Sequence, residues 1–256
     1  MKKQFLFIAN WKMNLNVDEQ IDYASSNYDN FSKLTDKEGY SIVICPSLVS
    51  LYPLTKIFKN TKIYVGAQDC SNHNKGAFTG QVSAESLNCI ECKYCIIGHS
   101  ERRKENHETN IEIAEKFTQL INYSISPVLC IGETLNDHEN GKTIDVLKKQ
   151  LDEIENMLKI NPTIPKYLPI CIAYEPVWAI GTGKIPELDH LETIFAWLFK
   201  QTQELSPSIK WKLLYGGSIK SENIVQLKKI QNLDGFLIGG ASLDFQEFEK
   251  IVKLEK

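Results

Sequence analysis

Lys12, His99 and Glu175 are the side chains of this sequence whose types could run proton chemistry together. A lysine supplies a fixed positive charge, a histidine a tunable hydrogen-bond donor, and a glutamate a carboxylate base. Brought to one place, they suit removal of a carbon-bound proton beside a carbonyl. The carboxylate takes the proton while the other two groups stabilise the oxyanion. Each residue alone has a plainer reading. A lone His is more often a packed structural residue, a Glu before Pro a surface residue, and a Lys near a strand end a solvated one. The shared position of all three weakens those readings, because each follows a short apolar run. The runs lead into Asn10-Trp11-Lys12-Met13-Asn14, Gly98-His99-Ser100-Glu101-Arg102-Arg103 and Ala173-Tyr174-Glu175-Pro176-Val177-Trp178.

The glycines point to an anion. Half of the fourteen lie from Gly181 onward, six of them in Gly181-Thr182-Gly183, Gly216-Gly217-Ser218 and Gly239-Gly240. Glycine lets backbone N–H groups approach and cradle a phosphate. Gly183-Lys184 looks like the end of a nucleotide-binding loop, but Trp178 and Ile185 stand where that pattern needs Gly and Ser or Thr. No Gly-x-Gly-x-x-Gly follows the first apolar run, so no dinucleotide cofactor is expected. Cys89-x-x-Cys92-x-x-Cys95 is the one metal-like spacing; without a fourth ligand nearby it reads as structural thiols. His73, His107, His138 and His190 read as surface or loop residues, and neither a metal nor a cofactor is expected. Of 29 basic residues only Arg102 and Arg103 are arginine, which marks a place where a forked guanidinium is needed.

Elements must carry these residues to one place. Eight apolar, β-branched runs at 4–10, 41–45, 62–66, 94–98, 126–131, 168–174, 210–215 and 234–239 suit parallel strands buried on both faces. Between them lie stripes with helical spacing: Ile111, Ala114, Phe117, Ile121; Ile144, Leu147, Leu151, Ile154, Leu158; Leu188, Leu191, Ile194, Phe195, Leu198; and Ile224, Leu227, Ile230. Val17, Ile21, Ala24, Phe31 and Leu34 fit less tightly. Strand–helix alternation satisfies both an open doubly wound sheet and a closed barrel. The count of eight and the 256-residue length favour a single-domain (β/α)8 barrel over residues 1–256. In such a barrel reactive residues gather at the C-terminal strand ends, where Lys12, His99 and Glu175 stand.

Composition sets outer bounds. With 43% hydrophobic and 24% charged residues the chain is neither disordered nor fibrous. A net charge of -3 argues against general nucleic-acid binding. No apolar stretch is long enough to span a bilayer, and the N-terminal one is too short for a signal peptide. Seven cysteines, an odd number, suggest reduced thiols and a cytoplasmic protein.

Over nearly its whole length the sequence resembles the triosephosphate isomerase family. The resemblance rests on residues 10–14, 66–81, 98–103, 173–184, 215–218 and 234–243, in order and at family-like spacing. Ala-Tyr-Glu-Pro-Val-Trp-Ala-Ile-Gly-Thr-Gly-Lys at 173–184 is its most specific segment. The resemblance implies a homodimeric barrel enzyme of glycolysis and gluconeogenesis that interconverts dihydroxyacetone phosphate and D-glyceraldehyde 3-phosphate. It implies Glu175 as base, His99 as neutral electrophile, Lys12 as enediolate and phosphate partner, and Asn10 as the residue that orients substrate, roles known for the family. Gly181, Ser218, Gly239 and Gly240 would bind the phosphate, with Glu101 and Arg102 in support. Pro176, Val177, Trp178, Ala179, Ile180, Gly181, Thr182, Gly183 and Lys184 would form a lid that excludes water. The tip of the 68–85 loop, Phe78-Thr79-Gly80, would dock beside Asn10, Lys12 and Met13 of a second subunit. An inactive relative serving as a binding protein, or another phosphosugar barrel enzyme, are the alternatives.

Three departures from the family pattern stand out. Gln81 replaces a Glu that usually pairs with the arginine at position 102 across the interface, so that charge partner is expected to be lost. Pro186 stiffens the far hinge of the lid. Asp69 replaces a common Asn.

Overall fold

The protein is described by a computed structural model over residues 4–36, 40–160, 164–165, 167–181 and 185–254. Eight strands close into a parallel barrel in sequence order. They are β1 (Phe5–Asn10), β2 (Tyr40–Cys45), β3 (Ile63–Ala67), β4 (Tyr94–Ile97), β5 (Ser126–Ile131), β6 (Pro169–Tyr174), β7 (Lys210–Tyr215) and β8 (Gly235–Ile238). Every run read as a strand from the sequence is one, to within one or two residues at its ends. Closure comes from β1 pairing with both β2 and β8, so the sheet has no free edge.

The helices between strands are α1 (Val17–Ser26), α2 (Tyr28–Asp36), α3 (Leu51–Ile57), α4 (Ala84–Cys89), α5 (Ser100–Glu105), α6 (Asn110–Asn122), α7 (Leu135–Glu139), α8 (Thr143–Ile160), α9 (Leu188–Leu205), α10 (Ile224–Leu227) and α11 (Phe245–Lys253). The long stripes on α8 and α9 face inward, with Leu147, Leu151, Ile154, Leu191, Ile194, Phe195 and Leu198 buried. On α6 the buried apolar set is Ile113, Ala114, Phe117, Leu120 and Ile121, while Ile111 is 60% exposed. Ile111 and Ile113 differ by about 200° around a helix, so only one of them can face the barrel. The loose first stripe is two helices broken at Asn27, which caps α1. The Ile224 stripe forms a single helical turn, with Ile230 buried just beyond it. Short helices such as α3, α4, α5 and α7 carry too few turns to show a stripe.

Two layers of core follow from strand alternation. Leu6, Ile8, Val43, Ile96, Val128, Cys130, Cys171, Ala173, Leu214 and Leu237 fill the barrel interior. The alternate residues, among them Phe7, Ile42, Ile44, Ile97, Leu129, Ile172 and Phe236, pack outward against the helices. The same parity positions the site. Continuing the inward series of β1 from Leu6 and Ile8 reaches Asn10; continuing that of β6 from Cys171 and Ala173 reaches Glu175.

Candidate active site

The C-terminal ends of the strands surround a cavity of about 630 Å³ that brings together Asn10, Lys12, His99, Glu175, Gly181, Ser218, Gly239 and Gly240. Glu175 is 2% exposed, and its backbone N–H still follows the ladder, donating to Ile131 O at 2.7 Å. Its carboxylate faces His99, with Oε1 3.1 Å from Nε2, and Oε2 accepts from the Ser100 N–H at 3.4 Å. Gly216 makes room for it, since a Cβ there would stand 2.8 Å from Glu175 Cγ.

His99 caps the N-terminus of α5, and its Nδ1 accepts from the Glu101 N–H at 3.2 Å. That bond needs a lone pair on Nδ1, which leaves a neutral ring with its proton on Nε2, toward Glu175. Electrostatics in the pair pull in opposite directions. Burial pushes the Glu175 carboxyl up, but His99, the Ser100 N–H and Lys12 outweigh it and hold the group below the ordinary carboxylate range. Burial pushes the His99 imidazole down, and the Glu175 and Glu101 carboxylates beside it raise it past its ordinary value. The pairing thus favours the ionised form of Glu175, while burial and Lys12 are what oppose a charge on His99.

Lys12 sits in the loop after β1 with φ +52°, a conformation that L-residues rarely adopt. Three bonds hold it there. Its N–H donates to Asn10 Oδ1 at 3.1 Å, its carbonyl accepts from Gln68 Nε2 at 2.8 Å, and Nζ donates to Glu101 Oε1 at 2.6 Å. Gln68 also reaches the Cys45 carbonyl at 3.0 Å and so ties the ends of β1, β2 and β3 together. On the far side of the cavity, Gly239 and Gly240 open a short 3-10 turn, Gly240–Ser242, whose N–H groups start at the cavity wall. Gly181 has φ +69°. Thr182, Gly183 and Lys184 lie outside the described residues.

Residues 5–255 match the family described as triosephosphate isomerase. The chain belongs to the triosephosphate isomerase family. It is 37% identical to the triosephosphate isomerase of Endomicrobium trichonymphae over 254 residues, covering 98% of each chain. It is 39% identical to that of Thermodesulfovibrio yellowstonii over 256 residues, covering 99% of this chain and all of the relative. A 38% identical Wolbachia triosephosphate isomerase covers 97% of each chain.

The departures from the family pattern take on a physical meaning in the structure. Arg102 has anionic partners within its own chain: Nη2 meets Asp69 Oδ2 at 2.9 Å and Nε meets Glu108 Oε1 at 2.7 Å. Asp69 and Glu108 also hold the buried Lys116 ammonium. Arg102 thus has two carboxylate partners within its own chain, and Gln81 accepts from Ser71 Oγ. Arg103 uses its whole fork, donating to Gly98 O at 2.7 Å, Asn110 Oδ1 at 2.6 Å and Cys130 O at 3.1 Å. Lysine could not bridge β4, β5 and α6 in that way, which accounts for one of the two arginines.

One reading from the sequence needs correction: His138 and His190 lie half-buried in helices α7 and α9 beside Trp178, not loose on the surface. His73 lies in the loop after β3, as read, and stacks on Phe78 with ring centroids 3.7 Å apart. Gln68 and Glu133 were missed although both follow strand ends, those of β3 and β5, where the same rule that found Lys12 applies. All seven cysteines are free; Cys92 and Cys95 are buried, and only Cys89 is exposed.

Proposed function

We propose that this chain interconverts dihydroxyacetone phosphate and D-glyceraldehyde 3-phosphate by proton transfer through an enediolate, in glycolysis and gluconeogenesis. The observation that carries the reading is the buried carboxylate of Glu175 facing His99 Nε2 across 3.1 Å inside a glycine-walled cavity. A carbonyl carbon and its oxygen inserted between them set the base against the carbon-bound proton and the donor against the oxygen. Glu175 removes the proton from one substrate carbon. Charge moves onto the oxygen, where His99 N–H and the Lys12 ammonium stabilise it; His99 gives that oxygen its proton and takes the proton of the neighbouring hydroxyl, and the carboxylic acid then returns its proton to the neighbouring carbon as the second oxygen becomes the carbonyl. With substrate between the pair, burial and the Glu101 N–H both favour neutral imidazole, the arrangement for which the family is known.

Asn10 orients the substrate. The N–H groups of Gly181, Gly239 and Gly240, with Ser218, bind its phosphate. Pro176, Val177, Trp178, Ala179, Ile180 and Gly181, continuing through Thr182, Gly183 and Lys184, close as the lid. Glu101 and Arg102 fix Lys12 and α5. The chemistry needs no cofactor. A coupled assay starting from glyceraldehyde 3-phosphate tests the reading: rapid formation of dihydroxyacetone phosphate is expected, and its absence overturns it.

Two variants probe the site further. Gly216→Ala pushes the Glu175 side chain out of line, and kcat is expected to fall about 10–100-fold with the melting temperature little changed. In His99→Gln the strongest downward pull on Glu175 disappears while burial remains, so its pKa rises. The acid limb of the kcat/KM profile then moves to higher pH than in the wild type.

We also propose a homodimer. No helix among the described residues is long and apolar enough to cross a membrane, and the free thiols suit a reducing cytoplasm. Met13 is 95% exposed at the rim of a second cavity of about 770 Å³, which shares Asn10 and Lys12 with the first and is lined by Gln81 and Arg102. The Phe78-Thr79-Gly80 tip, with Phe78 38% exposed, fits such a groove on a second copy. Met13→Arg is expected to give monomers by sedimentation and to reduce activity, because Lys12 stands one residue away.

A further inference from the structure

We propose that Glu133, His138 and His190 form a binding site for a zinc-type transition-metal ion at the root of the lid. The three come from separate elements: the loop after β5, helix α7 and the first turn of α9. A ligand atom of each lies within 4.8 Å of the other two. Among the described residues no other group of His, Cys, Asp and Glu is placed in this way. Two imidazoles and a carboxylate are the donor set that borderline ions such as Zn2+ prefer, with a fourth position left for water.

Two buried atoms point to a ligand. Glu133 is fully buried; its Oε1 accepts from Trp178 Nε1 at 2.8 Å and from Tyr174 Oη at 3.1 Å, yet its Oε2 has no hydrogen-bond partner. His138 Nδ1 is likewise buried without a hydrogen bond, 3.8 Å from Glu133 Oε1. An ion held by the carboxylate and by His138 Nδ1 would give that nitrogen a partner, and the carboxylate has an oxygen, Oε2, that no hydrogen bond occupies. The surrounding groups hold the ligands in place. The His138 ring stacks on the Trp178 indole, centroids 4.6 Å apart, and meets the His190 ring edge-on at 4.9 Å. The Tyr174 hydroxyl bridges Glu133 to His190 Nε2, 3.3 Å away. Tetrahedral zinc with bonds of about 2.1 Å sets its ligand atoms about 3.4 Å apart, so rotamer adjustments close the site without moving the barrel.

The site would link the lid to the helix that follows it, since Glu133 holds Trp178 within the lid and His190 lies in α9. Metal binding does not depend on the catalytic reading. Titration of the intact protein with ZnCl2 by calorimetry tests it, in a Cys89→Ser background to remove the exposed thiol. One ion per chain with a micromolar dissociation constant is expected, weakened at least ~10-fold by His138→Ala and by His190→Ala. Melting curves in chelator confirm that both variants fold; His190→Gln serves if one does not. Cobalt substitution is expected to give visible tetrahedral d–d bands without a sulfur charge-transfer band. Binding only at millimolar zinc, or binding untouched by the histidine variants, would overturn the proposal, as would a thiolate signature in the cobalt spectrum.

Discussion

Glu175→Gln is expected to lower kcat about 1,000-fold while leaving KM within a few-fold of the wild type. Glutamine keeps the shape of the side chain and can still accept from the Ser100 N–H, whose bond to Oε2 is 3.4 Å long. It cannot take a proton. Substrate binding survives because the phosphate cradle on β7 and β8 is untouched. The fold survives as well: replacing a carboxylate that is 2% exposed with a neutral amide removes a buried charge and strands no partner but the neutral His99. Steady-state kinetics beside a melting curve check both halves. A fall in kcat below about tenfold would mean that another group is the base.

Lys12→Met removes the lysine charge that acts on both Glu175 and His99. Loss of a preorganised electrostatic contact of this kind costs about 100–1,000-fold in kcat. KM is expected to rise too, because the ammonium lies close to Gly239, where a Cβ would stand 3.8 Å from Nζ, and so helps to hold the phosphate. Methionine matches the stem length, and the backbone bonds from Asn10 and Gln68 that impose the strained φ remain. The effect therefore reports the charge and not a collapsed loop. Salt should weaken substrate binding to the wild type more than to the variant.

Much of this site is legible in the sequence because a barrel turns linear position into spatial position. A residue just past a buried strand must lie at the mouth, and two-residue alternation then decides whether it points inward. Asn10 and Glu175 follow from that arithmetic, and their neighbours Lys12 and His99 from the strand ends. Helix contacts are less legible. The pairing of Arg102 with Asp69 depends on how Arg102 turns, and no pattern in the sequence encodes that rotamer. The meeting of Glu133, His138 and His190 joins residues 57 positions apart through the packing of α7 and α9. Their sequence neighbourhoods are polar, so hydropathy marks them as surface. The short helices were obscure for a different reason: one or two turns cannot display a period of 3.6 residues.

The central claim is that Glu175 moves a proton between adjacent carbons of a triose phosphate. The most direct test is to incubate dihydroxyacetone phosphate with the protein in D2O and follow the carbon-bound hydrogens by NMR. Because a carboxylic acid exchanges its proton with solvent, deuterium should enter at the reacting carbon as glyceraldehyde 3-phosphate forms, and Glu175→Gln should slow both processes together. Isomerisation without any deuterium entry would indicate direct hydride transfer, and exchange at the wild-type rate in Glu175→Gln would remove Glu175 as the base; either result contradicts the account.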